Sequence, residues 1–280
     1  MSHEWGILPQ MFALVEGFAV FIPHATITLD LFGEQSVWKA TDPNWTKWKP
    51  NQPTSAHWYE QRHIERLIGA YITHERATGT DRLVSELLAE FDGLSGSAKR
   101  TKVLRDADLK RARLSEFVAD GRLDSERIAR LLAAMKRHTR PVNPQRLGVI
   151  GETHLKERLL GMGVTPESFR YSLKLSGKSK NLQTETDEKA SFLPWVIEAA
   201  FGWRGEQAPD QRKIVTGANW SAAIKNPFRS FGATGEGLET QLAQLRATRN
   251  EPVVFVLHLA HPRVEYTDRG KSALVIGGDE

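Results

Sequence analysis

Apolar residues recur at helical spacing in the middle of the chain. Three stretches follow the i, i+3, i+4 pattern of amphipathic helices, and they cover residues 64–72, 83–91 and 128–135. Asp124 or Ser125 stands immediately before the third stretch and is expected to cap its first turn. The central part of the chain is therefore predicted to be helical.

Strand patterns lie on either side of this helical part. Residues 26–32 alternate between apolar and polar positions, which predicts a half-buried strand, and residues 252–260 form an apolar run that is typical of a fully buried strand. Residues 18–22 predict a buried strand or the end of a helix. The remaining predicted elements are a short helix over 152–160, strands over 192–201 and 213–216, and a helix over 235–248. Strand, helix and strand in succession predict a βαβ layer with helices packed on a sheet.

These patterns predict an α+β chain with three regions. Residues 1–57 hold too few elements to build a core and are interpreted as the remnant of a larger domain. Residues 58–145 form the helical module, and residues 146–280 form the mixed domain with the βαβ layer.

Positive charge is concentrated in the helical module. The net charge of the whole chain is +4, but the segment from Lys99 to Arg113 alone has seven basic residues against Asp106 and Asp108, which gives it a net charge of +5. Such a segment is either a solvated charged face or a surface for phosphate contacts, and its place in a helical module favours phosphate. The candidate DNA-binding residues are Lys99, Arg100, Lys102, Arg105, Lys110, Arg111 and Arg113.

Composition excludes several other kinds of site. The chain has no cysteine, so it has no disulfides, thiolate metal sites or cysteine nucleophiles. Its nine histidines are scattered without carboxylates at ligand spacing, and no metal site is predicted. Without an apolar run of about 18 residues or a signal peptide, a cytoplasmic protein with no membrane partner is expected. Glu75, Glu86 and Glu90 are expected to be solvated on helix faces.

Short motifs occur along these regions in a definite order: IPHA at 22–25, RLGVIGE at 146–152, IVTGANWSAAIK at 214–225, and an apolar strand followed by Gly-Lys within 252–272. This order is similar to that in the B subunit of DNA topoisomerase VI, a GHKL-type type IIB topoisomerase. Residues 22–25 (IPHA) resemble a strand near the end of that family's ATPase domain, and residues 60–140 stand where it has a helix–two-turns–helix module. Residues 146–152 (RLGVIGE) resemble the start of its transducer domain. Residues 214–225 (IVTGANWSAAIK) resemble a transducer strand, although Val-Thr-Gly replaces its arginine. Residues 252–272 cover its Val-His strand and Gly-Lys switch loop.

The resemblance implies an ATP-sensing role for Lys271, which follows Gly270 in the segment matching the switch loop. It implies duplex DNA, a GHKL ATPase half and a topoisomerase VI A-like cleavage subunit as partners. ATP and Mg²⁺ would bind only through a partner or missing GHKL domain. The adenine loop, magnesium-binding Asn and catalytic Glu are not recognisable, so no catalytic residue is assigned and no ATP hydrolysis by this chain alone is expected.

The leading hypothesis is a chain that resembles the B subunit of topoisomerase VI and contributes DNA contact and ATP sensing. Two alternatives stay open: a nucleic-acid-binding adaptor, and an inert fragment of a longer GHKL protein. Nucleotide dependence of DNA binding separates the first hypothesis from the adaptor.

Overall fold

The computed structural model describes residues 7–176, 193–206, 208–230, 235–267, 269 and 273–275. In these residues the helices are α1 (Ile7–Phe21), α2 (Gln61–Thr78), α3 (Val84–Ala89), α4 (Ser97–Asp106), α5 (Ser125–His138), α6 (Glu152–Gly161) and α7 (Leu238–Gln244). The strands are β1 (Ile27–Leu31), β2 (Glu34–Trp38), β3 (Val118–Ala119), β4 (Arg122–Leu123), β5 (Arg170–Leu175), β6 (Val196–Trp203), β7 (Lys213–Ala218), β8 (Ser221–Ala222) and β9 (Val253–Ala260). The predicted α+β class is confirmed.

The chain folds as two compact units. The sheet unit contains the described residues of 1–48, 144–178 and 195–280, and the helical unit contains those of 49–143 and 179–194. The main segment of the helical unit, residues 49–143, covers most of the predicted module of residues 58–145. Of the predicted region 1–57, the described residues up to 48 belong to the same unit as the large sheet, and residues 49–57 belong to the helical unit. The family identities of these regions stay predictions.

A five-stranded sheet in the order β5-β6-β9-β7-β8 organises the sheet unit. Strands β7 and β9 are parallel and pair Thr216 with Leu257, while the other neighbours are antiparallel. The chain passes from β7 through α7 to β9, so the predicted βαβ layer is confirmed. Leu257 packs in the apolar cluster that includes Leu242 of α7. On the opposite face the ring of Phe21, in α1, lies 5.2 Å from that of His258. Central strand β9 is thus covered on both faces, as its apolar run predicts.

The end of α1 is fixed by side chains from α6. The backbone oxygen of Ala19 accepts a hydrogen bond from Arg158 Nε at 3.1 Å, and that of Val20 lies 2.9 Å from His154 Nε2. These contacts satisfy carbonyls that lack partners in the last turn of a helix. Of the two structures that the pattern of residues 18–22 allowed, the helix end is the one found. Strands β1 and β2 then form an antiparallel hairpin, which confirms the strand predicted over 26–32.

Helices α2 to α5 surround the apolar core of the helical unit. All three predicted amphipathic helices are present, although α3 is shorter than the stretch 83–91. Helix α5 begins as expected, because Asp124 accepts a hydrogen bond from Arg127 N at 2.9 Å. The largest fully buried side chains in this core are Ile64, Ile68, Leu87, Leu88, Leu94, Leu109, Leu114, Phe117, Ile128, Leu131 and Met135.

Candidate nucleic-acid interface

Helix α4 and the turn after it carry the predicted basic segment. Val103 is the fully buried residue of α4, and Leu109 and Ala112 are buried in the turn. Asp108 and Arg111 have positive φ angles of 54° and 63°, which is uncommon for residues other than glycine. Burial of so few positions leaves most of the basic side chains of the segment facing solvent.

The structure divides the seven predicted cations into two groups. Within the described residues, no hydrogen bond or ion pair involves the side chains of Lys99, Lys102, Lys110 and Arg111, all of which are exposed. These four residues are called the open cations below. The other three are Arg100, Arg105 and Arg113, and each contacts another group of the helical unit.

Two of those three arginines donate hydrogen bonds to backbone carbonyls of the helical unit. Arg100 donates to the carbonyl of Leu94 at 3.1 Å, at the loop before α4. Arg113 donates to the carbonyl of Asp81, and its own backbone N–H donates to Glu116 at 2.8 Å. Because their guanidinium groups already have acceptors, these two arginines are less suited to a ligand than the open cations.

The third arginine belongs to a cluster that the sequence pattern did not predict. Asp106 Oδ2 lies 2.7 Å from His138 Nε2 and 3.6 Å from Arg137, and Asp106 Oδ1 lies 3.6 Å from Arg105. Arg137 and His138 belong to the last turn of α5, which reads Lys-Arg-His. That short basic run is the signal in the sequence that could have indicated the cluster.

The expected solvation of Glu75 is wrong. Glu75 is 7% exposed, and its carboxylate pairs with Arg82 Nε at 2.6 Å and accepts the backbone N–H of Arg82 at 2.9 Å. Arg82 also lies over the ring of Tyr71 at 3.9 Å and pairs with Glu90. Glu90 and Glu86 are exposed, as expected. This network fixes the end of α2, and its charges are paired with one another.

A buried carboxylate joins three elements of the sheet unit. Glu198, in β6, is fully buried and accepts the backbone N–H groups of Ile150 and Gly151, both at 2.8 Å. It also accepts the hydroxyl of Tyr171, in β5, at 2.7 Å. Burial raises the pKa of Glu198, while the hydrogen bonds from Gly151 and Ile150 act in the opposite direction. The group fixes the start of α6 and is not open to a substrate.

Two buried histidines are neutral for the same physical reason. Burial lowers the pKa of His258 to about 3 and that of His154 to about 4. His258 Nε2 accepts the backbone N–H of Trp220 at 3.0 Å, so the proton of the neutral ring is on Nδ1. Trp220 and Asn219 both have positive φ and form the two-residue turn between β7 and β8. The imidazole therefore supports a strained turn.

Lys271, the residue expected to sense ATP, and Gly270 lie outside the described residues. Within the described ranges no group of three or more histidine, aspartate and glutamate residues has the arrangement of a metal site. No helix in that part of the chain is long and apolar enough to cross a membrane.

Comparison with known proteins shows a weak structural likeness and no match in sequence. No family model matches the chain, and no curated protein matches it. Among solved structures, the B subunit of DNA gyrase from Myxococcus xanthus is similar with 18% identity and a TM-score of 0.20. The match covers 30% of this chain and 26% of the gyrase chain. A TM-score this low does not indicate a common fold, so the likeness carries no conclusion about function.

Proposed function

We propose that this chain binds the backbone of duplex DNA through the open cations of the helical unit. The observation that supports the proposal is the division of the basic segment. Arg100 and Arg113 stabilise the unit through backbone carbonyls, whereas the open cations have no partner within the described residues. Phosphate contacts need exposed cations on a fixed scaffold and no particular base-reading geometry.

The wider role we propose is that of a component similar to the B subunit of topoisomerase VI. The support is the collinear order of sequence motifs, from residues 22–25 to the segment 252–272. In this role the chain contributes DNA contact and, through Lys271, ATP sensing to an assembly with a GHKL ATPase half and a cleavage subunit. ATP and Mg²⁺ are bound by the ATPase half and not by this chain.

An adaptor that binds nucleic acid is the second candidate. The observation that favours it is the compactness of the helical unit, which has its own apolar core and carries the open cations. Native purification of the tagged full chain separates the two candidates. A GHKL ATPase chain in the purified complex, together with nucleotide-dependent DNA binding, supports the topoisomerase role. DNA binding that no nucleotide alters, without an ATPase chain, supports the adaptor.

The DNA contact is tested by the salt dependence of binding. In the test variant, Lys99, Lys102, Lys110 and Arg111 are all replaced by alanine. The slope of log K against log salt is expected to become flatter by about one unit for each phosphate that the variant can no longer bind, up to about four units. Fluorescence anisotropy with a labelled mixed-sequence duplex measures this slope on the full chain.

The matched control removes the same number and kinds of charge from the sheet unit. Its substitutions replace the exposed residues Lys39, Lys174, Lys225 and Arg229 by alanine. Both variants lower the net charge by four, so a general electrostatic effect changes them equally. Equal slopes for the two variants would contradict the proposal and would show that the open cations are a solvated face without phosphate contacts.

A further inference from the structure

The ends of α4 and α5 meet at Asp106. The carboxylate of Asp106 faces three cationic or basic side chains, one from its own helix and two from the last turn of α5. Only His138 is within hydrogen-bonding distance, at 2.7 Å. The hydrogen bond from His138 lowers the pKa of Asp106, so the carboxylate is ionised at neutral pH.

The two arginines at this junction are held loosely. Each guanidinium group lies 3.6 Å from a carboxylate oxygen, which is longer than a hydrogen bond. The side chain of Arg105 is 74% exposed and that of Arg137 is 66% exposed, whereas that of Asp106 is 23% exposed. Such exposed ion pairs contribute little to stability, so both arginines can turn toward an anion from solution at low cost.

We propose that the α4–α5 junction is a phosphate-binding site of the DNA surface, and that Asp106 is the anionic partner of Arg105 and Arg137 when DNA is absent. Arg105 and Arg137 bind a phosphate of the duplex, and His138 keeps its hydrogen bond with Asp106. The carboxylate orients the two arginines in the free protein and repels the phosphate in the complex. Asp106 therefore limits the affinity for DNA. This inference rests on the proposed DNA binding.

Replacement of Asp106 by asparagine tests the site. Asp106→Asn keeps the shape and a hydrogen-bonding oxygen but removes the negative charge. DNA binding by the full chain is expected to become about fivefold tighter, equivalent to about 1 kcal/mol. The salt slope is expected to steepen by about one unit, because one more arginine charge then neutralises phosphate instead of the carboxylate.

Asp108→Asn is the matched control. Asp108 lies two residues further along and is exposed, and its side chain makes no hydrogen bond or ion pair with the described residues. Asparagine tolerates the positive φ at this position. Both substitutions add the same net charge to the same segment, so a general charge effect tightens binding equally. Equal affinity of the two variants, or weaker binding by Asp106→Asn, overturns the proposal.

A second variant covers the case in which Asp106→Asn does not fold. Arg137→Gln should flatten the salt slope by about one unit, since it removes one cation from the phosphate site. An unchanged slope contradicts the proposed site. If the wild-type chain binds no duplex, the proposed function itself fails. If the wild type binds and its slope falls when the open cations are replaced, but neither junction variant has the expected effect, only the phosphate site fails.

Discussion

The two units differ in where their charged and polar side chains lie, since the sheet unit buries several of them and the helical unit keeps most of them exposed. The sheet unit buries Glu16, His154, Arg158, Glu198, Thr216 and His258, whereas in the helical unit the buried polar residues among those described are Ser55 and Glu75. Buried polar groups must be hydrogen-bonded, so in the sheet unit they fix strands, turns and helix ends. The helical unit obtains its core from apolar residues and keeps most of its charge outside. Its surface is therefore the one suited to a charged ligand.

The largest expected effect is a loss of stability of the sheet unit, but not of the helical unit, at acidic pH. In the unfolded chain His154 and His258 bind protons as the pH falls through about 6.5, but the folded sheet unit keeps them neutral to about 4 and 3. Their contribution to stability is therefore complete above about pH 6.5 and is lost as the pH falls below it. At about pH 5 the loss is roughly 2 kcal/mol for each histidine.

Urea unfolding followed by tryptophan fluorescence measures this loss, because seven of the eight tryptophans lie outside residues 49–143. His258→Gln should remove about half of the loss that these two histidines cause, since each contributes a similar share. His74→Gln is the control, because His74 is exposed and belongs to the helical unit, so its replacement should not alter the stability of the sheet unit. A wild-type stability that is the same at about pH 5 and about pH 7 would contradict neutral buried histidines.

Loss of the buried carboxylate should have the next largest effect. Glu198→Ala removes the acceptor of three donors, the backbone N–H groups of Ile150 and Gly151 and the hydroxyl of Tyr171. We expect the free energy of unfolding of the sheet unit to fall by about 3 kcal/mol, because buried donors without acceptors are costly. Glu167→Ala, at an exposed side chain of the same unit without a hydrogen bond or ion pair among the described residues, should change it by less than about 0.5 kcal/mol. Similar urea midpoints for both variants would show that Glu198 is not needed for the fold.

The smallest of these effects is expected in the helical unit. Asp124→Ala removes the side-chain cap of α5 and should cost about 1 kcal/mol. Ser125→Ala, at the exposed next residue, should have no measurable effect. Hydrogen exchange of the α5 amides, followed by mass spectrometry, reports on this helix separately from the sheet unit. Equal protection of α5 in the two variants would show that the cap does not stabilise the helix.

The sequence predicted elements where apolar spacing was regular and local. Residues 64–72 and 252–260 are examples, and both are found as expected. Helix α1 was recognised only at its end, because its apolar residues are spread around the helix and give no clear period. Strand β5 was missed although Tyr171, Leu173 and Leu175 alternate with polar residues.

The candidate site was predicted in part. The density of cations between Lys99 and Arg113 located the surface, but not which of them are open. Arg100 and Arg113 have backbone carbonyls as acceptors, and such partners leave no pattern in a sequence. Glu75 was misjudged because its partner, Arg82, lies beyond the end of the helix. Arg137 was missed because its connection with Asp106 joins residues that are far apart in the chain.

The position of β9 in the middle of the sheet also affects how the chain assembles during synthesis. Strand β9 pairs with both β6 and β7, yet it is the last of the described strands to leave the ribosome. Until β9 emerges, only the pairs β5–β6 and β7–β8 of this sheet can form. More than half of the chain is synthesised between α1 and β7, the strand that α1 packs against. The residues of 49–143 are complete long before and rest mainly on contacts among neighbouring helices. Because local contacts form faster than distant ones, the nascent chain carries a folded helical unit while the sheet is still unfinished.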